Sequence, residues 1–216
     1  MNKASNKEQK IAKSLIVLGD NHVGKSSIIT QFTKERFSED YKSTIGVYFQ
    51  SKEIKILNQT VYLSIWDVNG EEIKNTILDS RIYANANCFL LVVSYDNLDS
   101  SQTILNWIEF IRDKYQVSSL NRNIRDVPIF IVINKEDIRD KQFTRIQIEK
   151  ITRENCPFVN VCEVNAKNNQ TINSLFQGMC ARMLGLNIED IGLDITDESI
   201  VQITPIKFKF LCLKCH

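Results

Sequence analysis

Residues Gly19 to Ser26, GDNHVGKS, place two glycines, a lysine and a hydroxyl residue in the spacing G-x-x-x-x-G-K-S. The apolar run SLIVL precedes them and the helix-like run KSSIITQFTKERF follows. In that setting the backbone N–H groups of Gly19, Asp20, Asn21, His22, Val23, Gly24, Lys25, Ser26 and Ser27 can envelop phosphate oxygens at a helix N-terminus. Lys25 can reach the outer phosphates, and the Ser26 hydroxyl can ligate Mg²⁺. The His22 imidazole is expected to face solvent.

A second chemical cluster is Asn134, Lys135 and Asp137 in IVINKED, after another apolar run. A carboxylate at Asp137 can accept two hydrogen bonds from the N1–H and exocyclic amine of guanine. Adenine offers no such donor pair and would leave the charge unpaired. The third cluster, WDVNGEE at Trp66–Glu72, ends the run VYLSIW with an acid, a glycine and two more acids. Whether that loop still catalyses is the open chemical question.

Positioning these clusters requires strands that end where they begin. Strand-like and helix-like runs alternate: SLIVLG with KSSIITQFTKERF; paired β segments around VYFQSKEIKI and TVYLSIW; CFLLVVSY with SQTILNWIEFIRDKY; VPIFIVIN with TRIQIEKITREN; FVNVCEVN with TINSLFQGMCARML. Several strands are apolar almost throughout, as expected when helices cover both faces of a mostly parallel sheet. The fold class is α/β, with ligands at the carboxyl ends of the strands. The predicted organisation is a polar N-terminal extension over 1–10, a compact domain over 11–184 and a flexible C-terminal tail over 185–216.

In order and spacing, GDNHVGKSS, STIGVYF, WDVNGEE, NKED and EVNAK resemble the Ras superfamily of small GTPases, most nearly the Rab branch. The resemblance runs from about Ser14 to Leu184. It implies a P-loop domain with a mostly parallel six-stranded sheet and five helices on both faces, and a GTP/GDP switch ordered by the γ-phosphate. Thr44 would then ligate Mg²⁺ and sense the γ-phosphate, Asp67 would hold the metal through water, and Gly70 would donate its N–H to that phosphate. Phe37 would pack against guanine, Tyr41 would also line the nucleotide site, and Asn165, Ala166 and Lys167 would complete the base pocket. Lys25, Thr44, Gly70 and Glu71 are the implied catalytic set, with Ser26, Thr44 and Asp67 around the metal. Phe49, Trp66 and Tyr83 are candidates for the aromatic trio that receives effectors, with sheet core as the competing reading.

Several residues depart from the family pattern. Tyr48 replaces an acid in STIGVDF, RIYANA stands where YYRGA is usual, and Asn165 replaces a serine. Val68, Asn69 and Glu71 stand where the family carries threonine, alanine and glutamine. The leading reading is a slow GTP hydrolase acting as a switch in vesicle trafficking. Two alternatives remain open at this stage: a GTP-binding scaffold without useful hydrolysis, and a small GTPase signalling at cell division.

Composition bounds the partners. The chain has 216 residues, 43% hydrophobic and 25% charged, which suits one globular domain. With 27 basic and 26 acidic residues the net charge is +1, so no global field draws it to nucleic acid or an anionic membrane. MNKASNKEQK lacks an apolar core, and the longest purely apolar run is CFLLVV, so neither secretion nor a membrane span is expected. Cys88, Cys156, Cys162 and Cys180 lie in apolar or helical stretches and read as reduced, buried thiols. Cys212, Cys215 and His216 spell C-x-x-C-H, but no haem-pocket sequence precedes them. Two readings of the tail stand side by side: prenylation of Cys212, Cys215 or both, assisted by the apolar and basic segment KFKFLCLK, and two unmodified thiols in a flexible tail. The resemblance implies a monomer that meets an exchange factor, a GTPase-activating protein and effectors through its switches. It would work in the cytoplasm, peripheral on the cytosolic face of intracellular membranes.

Overall fold

The computed structural model describes residues 9–39, 46–68, 80–118, 126–156 and 159–186. The strands are β1 (Gln9–Leu18), β2 (Val47–Ile56), β3 (Gln59–Val68), β4 (Cys88–Ser94), β5 (Ile129–Asn134) and β6 (Val159–Glu163). The helices are α1 (Lys25–Lys34), α2 (Ser80–Ala84), α3 (Leu98–Gln102), α4 (Ile104–Ser118), α5 (Arg145–Asn155) and α6 (Asn169–Met183). One six-stranded sheet runs in the order β2-β3-β1-β4-β5-β6. Only β2 is antiparallel, to β3; the other pairings are parallel.

Alternation along the central strands divides the core between the two faces. Leu15 and Val17 face one way with Leu90 and Val92, packing against Phe32 of α1 and Phe176 of α6, whose rings stack 3.7 Å apart. Ile16 and Leu18 face the other way with Phe89 and Leu91, under Ile108 and Ile111 of α4 and Ile148 of α5. Every residue of β4 and β5 is buried, as their near-continuous apolar sequences require of strands covered on both faces. β2 is an edge strand and leaves Val47, Tyr48 and Phe49 exposed.

The described residues carry six helical segments rather than five, because Thr103 interrupts one rod and divides it into α3 and α4. Bonds from the Thr103 N–H to the Asp99 carbonyl and from the Trp107 N–H to the Thr103 carbonyl carry the i→i−4 ladder across the break. α6 stops where the sequence pattern stops. Gly185 takes φ 74°, with the Leu186 N–H on the Ala181 carbonyl and the Gly185 N–H on the Arg182 carbonyl, a Schellman closure. The predicted tail from 187 onward and residues 1–8 lie outside the described residues. No described helix is long and apolar enough to cross a membrane. Cys88, Cys156, Cys162 and Cys180 are free and buried.

Candidate nucleotide site

β1 leads into the predicted phosphate loop, whose two glycines are there for space as much as for conformation. A Cβ on Gly19 would lie 2.2 Å from the Val92 carbonyl oxygen of β4, and one on Gly24 would lie 2.2 Å from Nδ2 of Asn134. Both also have positive φ, 134° and 93°. Gly24 is the N-cap of α1 and offers no side chain to the helix, so the N–H groups of the first turn stay open to an anion. The His22 side chain is exposed, as expected.

Lys25 folds back over the loop, donating to the carbonyls of Gly19 at 2.9 Å and Asp20 at 2.8 Å. Burial pushes its ammonium below the ordinary value, against the opposing pull of Asp67 and Asp20. β3 ends by presenting Asp67, which is 2% exposed. The Ser26 hydroxyl donates to its Oδ2 at 2.6 Å, while its Oδ1 is buried with no hydrogen-bond partner. Burial pushes the Asp67 carboxyl above the ordinary carboxylate value, opposed by the Ser26 bond and by Lys25. A buried carboxylate oxygen without a donor, beside a hydroxyl, is a hard-oxygen corner that suits Mg²⁺.

The predicted base-reading cluster begins at Asn134, the last residue of β5. Asn134 is 1% exposed and works as a staple, its Nδ2 donating to the Val23 carbonyl at 2.9 Å and its Oδ1 accepting from the Ala166 N–H at 3.2 Å. One side chain thus ties the phosphate loop to the EVNAK loop. Lys135, at φ 60°, reaches across to the His22 carbonyl at 3.1 Å and to Asp96 at 2.6 Å. Burial works against the Asp96 charge, but hydrogen bonds from Lys135 and Ser94 hold its carboxyl below the ordinary value. Asp137 faces the Lys167 ammonium at 3.7 Å, and the same ammonium lies 3.5 Å from Glu39 and 5.7 Å from the Phe37 ring centre. Phe37, Asp137 and Lys167 therefore converge, with Phe37 exposed. Asn165, in the position of a serine, accepts from the Lys167 N–H at 2.9 Å and shapes its own loop.

Tyr41, Thr44, Gly70 and Glu71 lie outside the described residues. Of the aromatic trio, Phe49 is exposed and its ring lies 4.9 Å from the half-buried Trp66, whereas Tyr83 is 1% exposed and belongs to the core. Two contributors escape sequence reasoning. Asp96 could have been found from its place just beyond the end of β4. Glu163, which accepts from Tyr95 and lies 3.4 Å from Arg145, begins the EVNAK loop and braces it against α5.

The Ras family model matches residues 14–185 of the chain. The chain is 33% identical to Ras-related protein RABG3b of Arabidopsis thaliana, over 80% of this chain and 82% of that one. It is 32% identical to GTP-binding protein ypt1 of Schizosaccharomyces pombe, over 76% of each. It is 29% identical to the Ypt/Rab-type GTPase ypt7 of the same yeast, over 85% of this chain and 88% of that one.

Proposed function

The chain belongs to the Ras family of small GTPases, in its Rab branch, and from that membership we propose that the site above holds GTP or GDP with Mg²⁺. It is a guanine-nucleotide switch and GTP hydrolase of the Rab type in membrane trafficking. The loop Gly19–Ser27 takes the phosphates, Lys25 turns from the loop carbonyls to the outer phosphates, and Asp137 reads the guanine edge. Ser26 and Asp67 hold the ion, joined by Thr44. When bound, the ion supplies positive charge against the clustered phosphate oxygens. The observation that carries this reading is the unpartnered Oδ1 of Asp67, in a carboxylate whose Oδ2 lies 2.6 Å from the Ser26 hydroxyl.

The exposed edge of β2, with Val47, Tyr48 and Phe49 beside Trp66, supports contact with effectors in the GTP state. An exchange factor and an activating protein act on the same switches, the protein works as a monomer, and it is peripheral on intracellular membranes. The Rab-type relatives favour this switch over a hydrolysis-deficient scaffold or a role at cell division.

The test is to purify the protein, identify the nucleotide that co-purifies, and follow GTP turnover with and without Mg²⁺. GDP or GTP should be recovered, and ATP should fail to compete with labelled GDP. Asp137→Asn should weaken guanine binding and relax the discrimination, because the carboxylate that pairs with the two guanine donors is gone. Equal competition by ATP in the unaltered protein refutes the base assignment.

A further inference from the structure

Asp20 carries a negative charge on the loop that must receive a more negative ligand. Its backbone carbonyl accepts from Lys25 Nζ at 2.8 Å, and its carboxylate acts on Lys25 electrostatically. Left free, that carboxylate competes with phosphate for the ammonium and repels the phosphate itself, since charges a few ångströms apart near a protein surface still interact through the screening of water. The carboxylate is not free. Oδ2 accepts from the Thr103 hydroxyl at 2.6 Å, and Oδ1 accepts from the Trp107 ring N–H at 3.0 Å. Both donors come from the junction of α3 and α4, more than eighty residues away in sequence. The interruption at Thr103 sits at the end of this contact.

Trp107 is itself held in orientation. Its ring meets Phe110 edge-on at 5.8 Å, and Phe110 in turn meets the buried Tyr83 of α2 at 6.0 Å. An indole N–H aimed by two further aromatic rings is a fixed donor, and a fixed donor to a charged acceptor is a strong anchor.

We propose that Trp107 is a positioning residue of the nucleotide site: with Thr103 it holds the Asp20 carboxylate turned away from Lys25, so that the ammonium and the loop N–H groups remain available to phosphate. This rests on the nucleotide reading above. Trp107 touches no phosphate; it acts through Asp20.

The test is release of labelled GDP from the full chain with Mg²⁺ present. Trp107→Phe keeps an aromatic ring but removes the donor, and GDP release should quicken roughly tenfold, as loss of a hydrogen bond to a charged group implies. Thr103→Val should act in the same direction with a smaller factor. The deciding variant is Trp107→Phe combined with Asp20→Ala. With the unanchored charge gone, it should release GDP more slowly than Trp107→Phe alone, a rescue that a merely structural tie would not give. Release at the unaltered rate in both Trp107→Phe and Thr103→Val, or a double variant as fast as Trp107→Phe, overturns the proposal. If the unaltered protein holds no guanine nucleotide, the underlying reading falls and this proposal with it. Normal binding with unresponsive variants overturns the proposal alone.

Discussion

At the scale of single residues, Asp67 has one oxygen hydrogen-bonded and one bare, both away from water. Its carboxyl is held above the ordinary value, 3.8, chiefly by burial. A carboxyl whose pKa is higher folded than unfolded penalises the fold when charged. The empty protein therefore loses stability as pH rises from near 3.8 through the raised value, and the penalty is absent below both. Asp67→Asn should raise the melting temperature of nucleotide-free protein by about 2–4 °C for each kcal/mol recovered, while weakening Mg²⁺-dependent GTP binding. A lower melting temperature in that variant would refute the account. Glu71 invites a second substitution. A glutamine there orients the attacking water with its carbonyl and donates toward phosphate with its amide, whereas a glutamate only accepts. An ionised carboxylate about 5 Å from a phosphate charge meets a repulsion of about 3 kcal/mol at an effective dielectric of 20. Glu71→Gln is therefore expected to speed single-turnover GTP cleavage, and equal or slower turnover would make Glu71 a working catalytic residue. The motifs made the placement of Lys25 and Ser26 at the start of α1 and of Asp67 near the end of β3 legible, because each follows an apolar strand in local sequence. Asn134 as a staple was not legible, because its partners Val23 and Ala166 lie 111 and 32 residues away.

At the scale of elements, the apolar runs of β4 and β5 identified buried strands directly, and α6 ends at Met183 with Leu184 as its C-cap, where the pattern ends. The interruption between α3 and α4 left no mark in the periodicity. Thr103 is an ordinary helix residue by sequence, and its hydroxyl is committed to Asp20 only in three dimensions. Helix caps offer a way to separate stability from binding. Thr144 caps α5 in a reciprocal box with Gln147. Asn168 caps α6 by accepting from the N–H groups of Gln170 and Thr171, and its own N–H donates to the Asn165 carbonyl in the base-pocket loop at 2.9 Å. Thr144→Ala and Asn168→Ala should each cost about 1 kcal/mol in denaturant unfolding. Only Asn168→Ala should also quicken release of guanine nucleotide, because loss of its side-chain cap frays the first turn of α6 directly after Ala166 and Lys167. Equal release rates in the two variants would show that the cap and the pocket are uncoupled.

At the scale of the whole molecule, attachment to a membrane has to be local. A net charge of +1 provides no general attraction to anionic lipid, and no described helix spans a bilayer. The segment KFKFLCLKCH places Lys207, Lys209 and Lys214 among aromatic and aliphatic residues and two cysteines. Each lysine near an anionic surface contributes about 1 kcal/mol, and a single acyl-type chain gives only reversible binding, so stable attachment takes two signals together. A prenyl chain on the sulfur of Cys212 or Cys215 would be one signal, and the three lysines would be the second. Intact mass of the protein taken from its own cells should therefore show one or two added prenyl groups, lost in turn by Cys212→Ser and Cys215→Ser. The lipidated protein should sediment with vesicles containing anionic lipid, and raised salt should weaken that binding without abolishing it, because the lysines are screened and the chain is not. An unmodified mass together with a diffuse cytosolic distribution would refute lipid attachment at this tail.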